Sequence, residues 1–394
     1  MEVNIVPQLL SGGSVNKEGQ PAAANPDIST VPIPASLIDT TLSSLTNLST
    51  SVLGAKVLSC SDEYFASAEN LLTAGPPIRK AGYFVHTGAW YDGWETRRHN
   101  SKEYDWVVIK LGCVGVIDAV EVDTAHFNGN EAPYAGLDGC FLTPEQEAAS
   151  GVEKEGFQGW KEVLPPSKCG PSQRQAWTVS GPGVTGEQFT HLRLKQYPDG
   201  GIARLRVYGK VVPPPLPVSA AAGGERPVED LASALNGGVA IECSDQHFGG
   251  KSYLLLPGRG KDMGDGWETK RSRTKGHVDW VIVRLGLKGK KIEKVVVDTK
   301  DFRGNFPRAV KVEALALEAA KAALGTEADP KADDARWVPV IQGEQPCKAD
   351  LEHVFESGAL SATDAPEGHV WTHVKMTIIP DGGVKRIRVF GRRA

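Results

Sequence analysis

The sequence has little that would mark a membrane, a nucleic-acid surface or a disulfide scaffold. No apolar stretch approaches the ~18 residues that a membrane-crossing helix needs. The first 30 residues carry no basic start followed by an apolar run, so no secretory leader is expected. The C-terminal Gly391-Arg-Arg-Ala394 is not a Ser-Lys-Leu peroxisomal address. Cysteine is sparse: six in 394 residues, none in a Cys-x-x-Cys pair. That spacing argues for reduced thiols in the cytoplasm rather than a disulfide framework or a zinc knuckle. Positive charge is not in excess, since 44 Lys plus Arg face 48 Asp plus Glu for a net charge of −4. A basic nucleic-acid-binding face is therefore not expected. There is no Gly-x-x-x-x-Gly-Lys-Ser/Thr loop, no Gly-x-Ser-x-Gly elbow and no His-Glu-x-x-His helix. The nine histidines are scattered without metal-ligand spacing, so the sequence names no metal site and leaves any cofactor open. What is plentiful is Gly (44) and Pro (26), which suits a turn-rich β protein.

The chain repeats itself. Cys60-Ser-Asp-Glu-Tyr-Phe65 returns as Cys243-Ser-Asp-Gln-His-Phe248. Asp92-Gly-Trp-Glu-Thr-Arg-Arg98 returns as Asp265-Gly-Trp-Glu-Thr-Lys-Arg271. Asp105-Trp-Val-Val-Ile-Lys-Leu-Gly112 returns as Asp279-Trp-Val-Ile-Val-Arg-Leu-Gly286, and Pro198-Asp-Gly-Gly201 as Pro380-Asp-Gly-Gly383. A period of roughly 180 residues is a domain, not a solenoid unit, so this is a tandem duplication. The expected organisation is a largely disordered extension over 1–43, repeat one over 44–210, a Pro/Ala/Gly linker over 211–227 and repeat two over 228–394.

Within each repeat the strong signals are strands: short β-rich runs, partial alternation, and a hairpin turn at Pro198-Asp-Gly-Gly201. An all-β fold follows, with a β-sandwich or jelly roll in each repeat. The one clear helical segment is the Ala-rich Glu313 to Leu324. In Ala203-Arg-Leu-Arg-Val207, Ala203, Leu205 and Val207 share one face, and Arg204 and Arg206 the other. Arg386 and Arg388 repeat that arrangement. Such arginines are either solvated or placed to grip a carboxylate. His191, matched by His373, is either an acid/base group or a packed histidine.

The Asp-Gly-Trp-Glu-Thr block is the densest chemistry. It reads either as a structural turn with Trp in the core, or as a polar site wall with Asp92, Glu95, Asp265 and Glu268 handling protons. Asp123 and Asn130, with counterparts Asp298 and Asn305, form a second polar cluster after a strand. A non-catalytic sugar-binding module is the competing class, with Trp90, Trp94 and Trp267 stacking on pyranose rings.

Cys60-Ser-Asp-Glu-Tyr-Phe-Ala-Ser-Ala-Glu-Asn-Leu-Leu72, the two Asp-Gly-Trp-Glu-Thr blocks, Thr190-His-Leu-Arg-Leu194 and Tyr197-Pro-Asp-Gly-Gly-Ile-Ala-Arg-Leu-Arg-Val-Tyr-Gly209 resemble the allantoicase family. The resemblance spans roughly residues 45 to 394, in both repeats and in order. It implies a tandem of jelly-roll sandwiches of the galactose-binding kind, a homo-oligomer, and conversion of allantoate and water to ureidoglycolate and urea. It brings no catalytic residues, so the site assignment is physical. Allantoate has one carboxylate and two ureido groups on a single carbon. Arg98/Arg271 or Arg204/Arg386 suit the carboxylate; Asp123/Asp298 and Asn130/Asn305 suit ureido groups; Trp94, Trp267, His191 and His373 complete the expected wall.

Overall fold

The computed structural model describes residues 25–99, 101–217, 224–325 and 327–394. Both repeats are antiparallel β-sandwiches built on one long strand each. In repeat one this strand is Asp105–Asp123. Its first half pairs with Gln188–Tyr197 and Lys56–Cys60, and its second half with Arg204–Val211 and Arg174–Ser180. One strand thus serves both layers of the sandwich. Asp279–Asp298 does the same in repeat two, pairing with His369–Ile379 and Val239–Cys243, then with Arg386–Arg393 and Glu352–Glu356. Alternation explains the layers. Val107, Ile109, Leu192, Leu194, Leu205 and Val207 point inward and are essentially inaccessible, as are Val281, Val283, Val374 and Met376 in the second core. Leu53 of repeat one packs into the core cluster of repeat two, so the repeats share apolar contact.

Two segments depart from the sequence expectation. The extension was expected to lack order over 1–43; residues 1–24 lie outside the described residues, but 25–43 are ordered. Ser29–Ile33 adds an edge strand to Arg174–Ser180, a position that tolerates its Pro32. The short helix Ile38–Thr41 then seats Ile38 and Leu42 against Ala119 and Ala176. Three apolar side chains in a polar segment, Ile33, Ile38 and Leu42, are enough to dock it on an existing sheet. Ile38 is fully buried. Ile38→Ala is expected to lower stability by about 2–5 kcal/mol in urea titration; a change within experimental error would mean that the segment is not docked in solution.

The second departure is the Ala-rich run. Ala309–Glu318 is a ten-residue strand, and only Ala319–Leu324 is helical. Val310, Val312 and Ala314 alternate into the core, and the strand pairs with His369–Ile379 along its whole length. Sheet pairing overrides the helix preference of alanine here. The linker expected at 211–227 contains six residues, 218–223, outside the described set. Its end is fixed, since Arg226 donates to the Arg393 carbonyl at 2.9 Å.

Candidate functional site

Three loops meet at one end of each sandwich. In repeat one the two-residue strand Trp94–Glu95 pairs with Gly201–Ile202. Alternation sends Trp94 inward, where it is fully buried and its indole N–H donates to the Asp62 carbonyl at 2.8 Å. Glu95 turns the other way, toward the loop Phe127-Asn-Gly-Asn130. The Asn130 amide donates to Glu95 Oε1 at 2.8 Å. Arg98 Nη2 donates to the Gly129 carbonyl at 2.8 Å, and its Nε lies 4.0 Å from Asp199 in the Pro198-Asp-Gly-Gly201 turn. Thr96 is buried beneath, accepting from the Gln196 amide at 3.1 Å and the Gly200 N–H at 3.3 Å. Gly201 is required for this closure: a Cβ there would sit 2.1 Å from the Phe127 ring.

Repeat two builds the same cluster. Trp267 is buried and donates to the Asp245 carbonyl at 2.8 Å. Asn305 donates to Glu268 Oε1 at 2.5 Å, and Arg271 to the Gly304 carbonyl at 3.4 Å. The copies differ in burial. Glu95 is only 8% exposed, and that burial pushes its carboxyl above the usual range, against the Asn130 hydrogen bond and the Arg98 charge. Glu268 is more accessible.

Glu95, Arg98 and Asn130 are thus brought together, as are Glu268, Arg271 and Asn305. The other expected residues sit elsewhere. Trp94 and Trp267 are core side chains with no face for a ligand. Asp92 is held by Arg204, Nη2 to Oδ2 at 2.7 Å, and also accepts the Ile78 N–H at 2.8 Å. Arg204 is almost inaccessible, its other donors engaging the carbonyls of Gly75, Pro76, Asp92 and Ala203. It grips a carboxylate, but the protein's own. Asp265 and Arg386 repeat the pair at 2.8 Å. Asp298 is clamped by Arg259, at 2.8 Å from Nε and 2.9 Å from Nη2. Asp123 faces a cleft between the repeats rather than Glu95.

His191 lies on the outer sheet face, five positions before Gln196, about 16 Å of strand away from the loop cluster. It contacts Thr190 Oγ1 at 2.9 Å and lies 3.6 Å from Glu147; His373 contacts Thr372 at 2.9 Å and Asp329 at 3.1 Å. Burial holds both rings below the usual histidine range. They are packed groups bracketing the sheet face. Sequence reasoning passed over Asp199, Lys251 and Arg259, and gave Arg206 only as the second outward arginine beside Arg204. The recurrence of Pro-Asp-Gly-Gly in both repeats was the available signal for Asp199. Among the described residues, no three His, Cys, Asp or Glu side chains converge as a metal-ligand group.

Two jelly-roll sandwiches in tandem, each closing one end with a Glu–Asn–Arg cluster, define a duplicated β protein with polar chemistry at its loop ends. A family model described as Allantoicase repeat matches residues 46–212 and again 229–394. The chain is 52% identical over 364 residues to the allantoicase of Neurospora crassa, covering 92% of this chain and 96% of that one. It is 49% identical over 342 residues to the allantoicase of Saccharomyces cerevisiae, covering 86% and 92%. The crystal structure of the Saccharomyces cerevisiae allantoicase superposes with a TM-score of 0.75 at 44% identity, covering 92% of this chain and all of that one. The chain belongs to the allantoicase family.

Proposed function

We infer that this chain is a hydrolase of purine degradation that cleaves allantoate to ureidoglycolate and urea. The observation that carries the reading is family membership over both repeats, at 52% identity to a named allantoicase. Glu95, Arg98 and Asn130 of repeat one are our reading of the reacting site, with Glu268, Arg271 and Asn305 as the second copy.

The chemistry follows from the geometry. Arg98 keeps guanidinium donors beyond the one on Gly129, suited to the substrate carboxylate. Asn130 holds Oε1 of Glu95, which fixes the carboxyl in the loop cluster. A carboxyl raised by burial retains its proton nearer neutrality and can act as the acid. Glu95 would give that proton to the departing ureido nitrogen as the bond from nitrogen to the central carbon breaks. The remaining ureido nitrogen supports the electron-poor carbon. Water then adds its oxygen to that carbon and returns a proton to Glu95. One water is consumed, one urea leaves, and the carboxyl is regenerated. Asp92 and Arg204 are positioning residues, fixing the loop that carries Glu95.

The burial of Trp94 and Trp267 favours this reading over the sugar-binding module, which needs exposed ring faces. Trp90 is also engaged, with Tyr83 at 6.3 Å and Lys80 at 4.5 Å. Arg98→Gln is expected to raise KM for allantoate by about tenfold or more with a smaller effect on kcat, because a charge-assisted carboxylate contact is lost. An unchanged KM would remove Arg98 from the site. We also propose a homo-oligomer working in the cytoplasm. Exposed Ile78, Tyr83 and Phe84 at the tip of the 76–92 loop support the first part, and six free thiols the second. No helix among the described residues is long and apolar enough to cross a membrane. Light scattering on the eluted protein tests the oligomer, and a monomer mass would reject it.

A further inference from the structure

Asp123 and Asp298 occupy equivalent places, opposite Arg204 and Arg386 in their sheets. Their surroundings differ. Asp298 is clamped by Arg259. Repeat one has Gly75-Pro76-Pro77 where repeat two has Gly258-Arg259-Gly260, so the clamping arginine is replaced by proline. Asp123 accepts from the Ala125 N–H at 2.8 Å, and among the described residues no side chain donates to it. It lies at 3% exposure on the wall of a cavity of about 500 Å³ between the two repeats.

The opposite wall comes from repeat two and is equally unmatched. Lys251 stands where repeat one has Ala68, each opening the same short helical turn. Lys251 is 7% exposed, and among the described residues its ammonium has neither a hydrogen-bond acceptor nor an ion-pair partner. Burial lowers its proton affinity. Arg206 also lines the cleft, donating to the carbonyls of Thr73 and Gly75 at 3.3 and 3.2 Å but pairing with no described carboxylate. Arg174, by contrast, is fully engaged by Asp39 and Glu121. A cleft wall that carries an ammonium with no counter-charge among the described residues and a carboxylate held by a single backbone N–H is suited to a bound ligand of matching polarity.

We propose that the cleft between the repeats binds a small ureido acid, its carboxylate on Lys251 and Arg206 and its N–H groups on Asp123. A cavity of this size suits a molecule of that kind. The site is separate from the Glu95 cluster, neither Glu95 nor Asn130 lining it. It shares with the hydrolase reading only the chemical class of the ligand.

The test is calorimetric titration of the full chain with hydantoate, which has one carboxylate and one ureido group. Wild type and Glu95→Gln should both bind it. Lys251→Met and Asp123→Asn should each weaken binding by at least about tenfold. A merely structural Lys251 predicts the reverse pattern: the apolar isostere would raise the melting temperature and leave hydantoate binding untouched. Unchanged affinity in both variants, loss of binding in Glu95→Gln alone, or no binding to wild type at millimolar probe would each overturn the proposal. Urea release from allantoate is measured in parallel. Absent turnover with hydantoate binding intact would reject the hydrolase reading and leave the cleft site standing.

Discussion

Glu95→Gln is expected to lower kcat on allantoate by about 10²–10⁴-fold, the usual contribution of a positioned acid/base group. Glutamine keeps the shape and can still meet the Asn130 amide, so fold and substrate affinity should change little. Glu268→Gln is expected to have the smaller effect, because Glu95 is the more buried of the two copies. The pH dependence has a definite sign. If the protonated form is the working one, kcat falls as pH rises through the elevated pKa of Glu95. The same protonation favours the folded state at low pH and loses that benefit as pH climbs through the folded value. Steady-state urea release across pH checks both points. Near wild-type turnover in the Glu95→Gln, Glu268→Gln double variant would exclude these carboxylates.

Arg204→Met should destabilise the protein by about 3–5 kcal/mol, the range for removing one partner of a buried ion pair. The arginine is 1% exposed and ties Asp92 to four carbonyl groups from two loops and its own strand. Removing it leaves Asp92 without its counter-charge and the Pro76 and Asp92 carbonyls short of donors, while the Gly75 carbonyl keeps only Arg206. A solvated surface arginine would cost no more than about 0.5 kcal/mol. Denaturant midpoints for Arg204→Met and Arg386→Met separate the two cases, and a shift of the surface size in both would show that these arginines are not structural. Because the loop they fix carries Glu95, loss of turnover at temperatures where Arg204→Met is still folded is expected too.

The duplication could be read from the sequence because both copies keep the same turn chemistry and the same alternation. The long strands were visible for that reason, and Glu95 and Asn130 each stood out in a block that recurs, but their contact is known only from the structure. What could not be read depends on three-dimensional closure. Trp94 turns inward because its strand pairs with Gly201–Ile202, where its partner Ile202 is 108 residues away in sequence. Arg204 is buried because the 74–78 loop folds over it, and nothing in Ala-Arg-Leu-Arg-Val distinguishes a covered face from a wet one. The difference between Asp123 and Asp298 turns on Pro76 replacing Arg259, inside a loop whose length also changes. The docking of Ile38 on Ala119 and Ala176 needs the sheet to exist first.

The most direct measurement is the product balance when purified protein is given allantoate. Carbon NMR and a urea assay, with ammonia followed separately, identify which bond is cut. The account predicts one urea and one ureidoglycolate per allantoate, with no ammonia. Ammonia release without urea, or allantoate left intact by folded protein, would contradict it.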